Sequence, residues 1–383
     1  MTETTLTQDA TVILERAHFQ QLLDALLQSG YRVIGPTIED RAIVYESLSS
    51  VEDLPIGWKD QQEGGTFRLE KRKDQALFGY TLGPQTWKKH LYPPNVTLWQ
   101  AKRENGSFKI TPPEEDRQPL AFIGVRACEL SAIAIQDKIF LESEFKDPIY
   151  QQNREGLFIV AVNCVEAGGT CFCASMETGP KASTGFDLAL TEVIDGEKHY
   201  FVVNIGSARG LDVIKAITVR TPEAGEVEAA EARIAEASQN MGRTLETEGL
   251  RDLLFRNIEN PRWEAVADRC LTCGNCTLVC PTCFCATIED VTDLTGQHAE
   301  RTRRWDSCFT MDFSYIHGGS VRYSSRARYR QWMMHKLASW VDQFGTFGCV
   351  GCGRCITWCP VAIDITEEAN IIRQGDVAKT KEA

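Results

Sequence analysis

Two cysteine runs near the C-terminus carry the chemistry most legible in this chain. They are Cys270-x2-Cys273-x2-Cys276-x3-Cys280-Pro281 and Cys349-x2-Cys352-x2-Cys355-x3-Cys359-Pro360. A cubane 4Fe-4S cluster has four iron corners, and each takes a soft thiolate. Three thiolates at x2 spacing wrap one short loop around three corners. The fourth Cys lies across a short helical step, points away from its own cube and reaches its neighbour's. The expected sets are Cys270, Cys273, Cys276 and Cys359 for one cluster, and Cys349, Cys352, Cys355 and Cys280 for the other. Without the swap, Cys280 and Cys359 exchange partners and the function is unchanged. Gly274 and Gly353 stand where the backbone must bend closely against sulfur. Pro281 and Pro360 redirect the chain, since Pro cannot continue a regular segment.

Zinc and disulfides are the competing uses of cysteine. Structural zinc takes two CxxC pairs separated by a loop, which fits a doubled three-plus-one pattern poorly. Disulfide frameworks belong to short secreted chains, and this chain has 383 residues. Its fifteen Cys therefore read as metal ligands in a reducing compartment. No basic segment followed by an apolar core opens the sequence, and no apolar run approaches a membrane span. The expected location is the cytoplasm. A formal net charge of -12 argues against a general nucleic-acid or membrane-surface binder.

A third cysteine group emerges from the elements that must position it. Leu120–Val125 and Leu157–Cys164 read as buried strands, with a helix over Glu129–Leu141 between them. That βαβ pattern implies parallel strands. Parallel strands present their C-terminal ends together, which brings Cys128 and Cys164 to one edge. Gly168-Gly169 permits a tight loop carrying Cys171 and Cys173 to the same place. Cys128, Cys164, Cys171 and Cys173 would then suit a third 4Fe-4S cluster; the alternative is four buried free thiols packed as small hydrophobes. Thr-Cys-Phe-Cys-Ala occurs at 170–174 and again at 282–286, with unlike flanks, and reads as a shared local loop. Cys283, Cys285 and Cys308 fall outside these sets. They could shield the cubanes, donate to cluster sulfur or swap into a cluster.

Elsewhere, the apolar stripe of Ile13–Gln28 predicts a helix stopped by Gly30. Leu188–Ile194 and His199–Ile205, joined at Asp195-Gly196, read as a hairpin. Glu223–Met241 reads as a solvated helix, and Pro112–Asp116 as a surface loop. Eleven of the fifteen Cys lie at or after Cys270, which marks a boundary near Gly249. The expected fold is an α+β or α/β N-terminal domain (1-249) carrying the third cysteine group. A mostly helical, bacterial-ferredoxin-like two-cluster domain (250-383) follows it.

Between the runs the chain turns basic, with Arg301, Arg303, Arg304, Arg322, Arg326, Arg328, Arg330 and Lys336 interleaved with Tyr and Trp. Such composition can bind nucleic acid. The acidic balance instead favours pairing with carboxylates or with negatively charged clusters. Gly318-Gly319 reads as a turn. No dinucleotide-binding Gly-x-Gly-x-x-Gly, Walker sequence or Ser/His/acid trio is present, so no catalytic residue is assigned. A non-catalytic wire of this kind needs partners at its ends. A thiol enzyme using Cys283 and Cys285 and a nucleic-acid protein with structural clusters are the readings from other classes.

Trp305-Asp-Ser-Cys-Phe309, Asp312–Gly319, Arg328–Trp332, His335-Lys336 and Gly348–Val361 together resemble the iron–sulfur beta subunit of soluble NAD(P)-linked nickel–iron hydrogenases (sulfhydrogenases). Gly83–Lys89 and Gly124–Cys128 also resemble that family. The resemblance implies an electron-transfer subunit relaying single electrons through 4Fe-4S clusters. Its implied partners are a flavin- and NAD(P)H-binding diaphorase subunit and the small and large subunits of a nickel–iron hydrogenase. It also implies that all eight Cys of the two runs are cluster ligands. The A subunit of anaerobic sulfite reductase is similar in the cysteine runs and in the Cys283/Cys285 pair, and implies the alternative of an equivalent relay in a sulfite-reducing complex. The stretch after Cys308 favours the hydrogenase.

Overall fold

The computed structural model describes residues 7–112 and 118–382. Its centre is a seven-stranded sheet in the order Thr11–Glu15, Lys198–Ile205, Leu188–Asp195, Phe158–Val162, Leu120–Val125, Arg32–Glu39 and Ala42–Ser47. The inner pairings, from Leu188–Asp195 across to Arg32–Glu39, are parallel, and the flanking ones are antiparallel. Leu120–Val125 and Phe158–Val162 are buried at every residue, as strands covered on both faces must be. One face packs on the helix Phe19–Gln28, through Phe19, Leu22, Leu23 and Leu26. The other packs on the helix Ala127–Phe140, which makes the crossover between the two parallel strands.

The expected βαβ unit is therefore present, as is the hairpin of Leu188–Asp195 and Lys198–Ile205. Glu226–Gln239 is a helix that buries Ala230, Ile234 and Ala237 and exposes most of its charged face. The helix expected over Ile13–Gln28 is shorter: Thr11–Glu15 is an edge strand antiparallel to Lys198–Ile205, and helix begins at Phe19. The β-branched Thr11, Val12 and Ile13 suit the strand, and pairing with Lys198–Ile205 overrides the helical periodicity. Of the expected loop at Pro112–Asp116, all but Pro112 lies outside the described residues.

A second, four-stranded antiparallel sheet runs Ala286–Thr292, His298–Trp305, Asn95–Glu104 and Ser107–Thr111. Its first hairpin comes from the segment between the cysteine runs, and its second from before residue 249. After that comes a largely helical region with its own core of Trp263, Leu254, Trp332, Met333, Leu337 and Ile372. Gly249, in the left-handed conformation at φ 62°, opens the helix Leu250–Arg256. Ion pairs tie this region to the part before residue 249: the buried Arg354 to Glu129 at 2.6 Å and the half-buried Arg243 to Asp364 at 2.6 Å.

Candidate metal centres

Each cysteine run folds the same way. A left-handed glycine (Gly274 at φ 77°, Gly353 at φ 73°) turns the chain into a four-residue helix, Asn275–Leu278 or Arg354–Thr357. The glycines are required sterically as well as by φ. A Cβ on Gly353 would sit 2.3 Å from the Thr170 carbonyl oxygen, and one on Gly351 would lie 2.6 Å from the backbone of Phe172 and Cys173. The fourth Cys and its Pro follow each helix.

Cys270, Cys273, Cys276 and Cys359 line one cavity together with Cys355, walled by Phe309, Tyr329, Trp332 and Ile363. The sulfurs of Cys270, Cys273 and Cys359 are the electrostatic neighbours of Cys276. Those of Cys349, Cys352 and Cys280 are the neighbours of Cys355. The structure thus brings each run's first three Cys together with the fourth of the other run. Backbone amides point at sulfur: Thr272 to Cys270 at 3.4 Å, Gly351 to Cys349 at 3.5 Å and Ile363 to Cys359 at 3.3 Å. Such donors favour thiolate over thiol. Burial acts the other way: it pushes the Cys349 thiol up to about 12 and raises those of Cys276 and Cys355 well above the ordinary range. Cluster loading must therefore displace protons.

Buried cations give the site its charge. Lys336 is 3% exposed, and its Nζ donates to Cys280 Sγ at 3.0 Å, to the Gly348 carbonyl at 2.9 Å and to Thr282 Oγ1 at 3.3 Å. It has no carboxylate partner among the described residues. An ammonium stripped of water needs a compensating anion, and a thiolate-ligated cluster carries net negative charge. A cubane takes one thiolate at each of four corners, so sets of four Cys with buried cations beside them fit a 4Fe-4S cluster. Most of the remaining basic segment pairs with carboxylates, as expected: Arg301 with Asp290, Arg303 with Asp147, Arg304 with Glu289, and Arg326 and Arg330 with Glu259. Arg328 donates to the Phe309 carbonyl at 2.7 Å.

The third group also converges. Cys128 opens the helix after Leu120–Val125, and Cys164 follows Phe158–Val162. Cys173 and Cys164 are electrostatic neighbours of Cys128, and both are neighbours of Cys171. Gly168 and Gly179 let the loop close, since a Cβ on either would lie 3.1 Å from Cys171 Sγ or Cys173 Sγ. This loop packs backbone to backbone on the second run, with the Phe172 amide donating to the Gly351 carbonyl at 2.8 Å. Cys352 is in turn an electrostatic neighbour of Cys128, Cys171 and Cys173.

Three functional side chains here went unassigned by sequence reasoning. Arg126 is buried beside Cys164, and its guanidinium donates to the carbonyls of Phe78 and Tyr80 and to the Cys164 sulfur. Arg354 lies between the third group and the second run, held by Glu129 and the Gly83 carbonyl at 2.9 Å. Lys88 donates to the carbonyls of Cys280 and Cys283 at 2.9 and 3.0 Å. The available signal was weak: Arg354 falls inside the second run, and Lys88 inside the Gly83–Lys89 stretch.

Residues 269–363 match the 4Fe-4S dicluster domain family. The chain is therefore an iron–sulfur electron-transfer protein whose ferredoxin-like C-terminal region carries two 4Fe-4S clusters. It is also similar, at 29% identity over 372 residues, to sulfhydrogenase 2 subunit beta of Pyrococcus furiosus, an alignment spanning 95% of this chain and 98% of that one. The resemblance to sulfhydrogenase beta subunits is thus borne out along nearly the whole sequence.

Proposed function

We propose that this chain relays single electrons between a flavin- and NAD(P)H-binding subunit and a nickel–iron hydrogenase module in a cytoplasmic complex. The likeness to a sulfhydrogenase beta subunit over 95% of the chain carries the reading. The cysteine sets give it a path. Cys270, Cys273, Cys276 and Cys359 would hold one cluster, and Cys349, Cys352, Cys355 and Cys280 the next. Cys128, Cys164, Cys171 and Cys173 would hold a third, so that 1-249 contributes one station and 250-383 two. Bound clusters supply reversible one-electron reduction. The chain's own residues do the rest. Cys273 is exposed at the first set, where an electron could enter or leave. Cys352 stands between the second set and the third. Trp332, Phe309 and Tyr329 exclude water from the first set. Lys336, Arg126 and Arg354 hold positive charge against the sulfurs and favour the reduced state. In this reading the two-electron steps fall to the partners.

Replacing Cys352 by Ser in the assembled complex tests this. Iron content should fall, and hydrogen-driven NAD(P) reduction should drop at least 10-fold. Hydrogen oxidation with a dye and NAD(P)H oxidation with a dye should both persist. Loss of both half-reactions would refute a relay role.

A further inference from the structure

Three cysteines remain outside the twelve assigned above, and they line one cavity. Cys283, Cys285 and Cys308 share a space of about 440 Å³ with His335, Lys336 and Arg322. The fold explains their meeting. Ala286 pairs with Trp305 at the base of the hairpin Ala286–Thr292/His298–Trp305, and the Asp306 amide donates to the Cys285 carbonyl at 2.9 Å. The hairpin thus returns Cys308 to Cys285. The opposite wall is a π-helical turn, His335–Ser339, whose His335 and Lys336 line the cavity. Such turns recur at functional sites.

The electrostatics favour an anion here. Lys88 is 4% exposed, its Nζ lies 4.0 Å above the Trp305 ring, and the sulfurs of Cys283, Cys280 and Cys285 are its anionic neighbours. Lys336 faces Cys280 and Cys283. No Asp or Glu lines the cavity, and neither ammonium has a carboxylate partner among the described residues. Cys280 and the second cluster it serves face Lys336 from one side, while Cys283 and Cys285 are the further sulfurs set beside the two ammoniums. The loop itself is the Thr-Cys-Phe-Cys-Ala sequence that brings Cys171 and Cys173 together in the third group.

We propose that Cys283, Cys285 and Cys308 hold a further 4Fe-4S cluster, with its fourth iron corner facing His335. The site goes beyond the relay reading and does not depend on which partners the chain has. Trp332 lines both this cavity and that of the first run. Lys336 touches Cys280, the fourth ligand of the second cluster, so the further cluster would stand beside both.

Native mass spectrometry of the full chain, purified without oxygen, tests it. The Cys308→Ser variant should carry one 4Fe-4S cluster fewer than wild type, with the magnetic interaction between the paired clusters of the two runs retained. Cys285→Ser should give the same loss, which guards against a fault peculiar to one variant. His335→Ala should change the EPR signal that Cys308→Ser removes and leave the others unchanged. Equal cluster counts in wild type and both Cys variants would overturn the proposal. So would a Cys285–Cys308 disulfide in the anaerobic wild-type protein.

Discussion

At the scale of single residues, the informative groups are the cations. Lys336 is buried against Cys280 Sγ at 3.0 Å, a contact that costs desolvation unless negative charge sits there permanently. A cation hydrogen-bonded to a ligating sulfur stabilises the more negative, reduced cluster. Lys336→Met keeps the length and removes the charge. A redox titration followed by EPR should show the midpoint potential of the adjacent cluster moving to more negative values, and electron transfer through the complex should slow about 10-fold or more. An unchanged potential would mean that the ammonium is compensated elsewhere. None of this was visible in the sequence, where Lys336 looked like one more member of a basic segment. Its separation comes from the π-helical turn that buries it, while Arg301, Arg304 and Arg326 stay near the surface with carboxylate partners.

At the scale of elements, the two loops that matter most are the second cysteine run and the Thr170–Ala174 loop, pressed together at their backbones. Gly353→Ala places a methyl group 2.3 Å from the Thr170 carbonyl oxygen on a backbone at φ 73°. The cost should be about 2 kcal/mol or more, read as a lower melting temperature together with slower cluster loading. The equivalent change at Gly225, also left-handed but with open space around its Cβ position, should cost only the backbone strain, about 1 kcal/mol. The elements that could be read in the sequence were those with a strong local signal. The strands Leu120–Val125 and Phe158–Val162 are unbroken apolar runs, and their parallel order followed from the helix between them. Two elements escaped. Thr11–Glu15 was absorbed into the helix after it, because strand pairing with Lys198–Ile205 depends on a partner nearly 200 residues away. The hairpin from Ala286 to Trp305 is charged along much of its length and finds its sheet by pairing with Asn95–Glu104. No local apolar alternation announces it.

At the scale of the whole molecule, the two halves are interdependent. The sheet containing the Ala286–Trp305 hairpin draws strands from both, and the Arg354–Glu129 pair is 1% exposed on each side. Glu129 also accepts from Trp87 Nε1 at 3.0 Å and Tyr45 OH at 3.2 Å. Glu129→Gln leaves a buried guanidinium without its counter-ion, and should destabilise by about 3–5 kcal/mol. Because the pair joins the halves, heat unfolding should lose the far-UV signal and the cluster colour together. Separate transitions would show that 1-249 and 250-383 unfold as independent units.

The sequence carried the cysteine sets further than it carried the fold, because ligand spacing is a local property and its chemistry narrows the choice of metal. It stopped at Cys283, Cys285 and Cys308, whose meeting depends on the hairpin that was not legible. The account rests on neighbouring cubanes held by thiolates exchanged between two runs. EPR of the dithionite-reduced, anaerobically purified chain examines that directly. The expected result is a spectrum broadened by magnetic interaction between adjacent reduced clusters, simplifying in Cys352→Ser. A colourless protein, zinc in place of iron, or isolated signals unaffected by Cys352→Ser would contradict it.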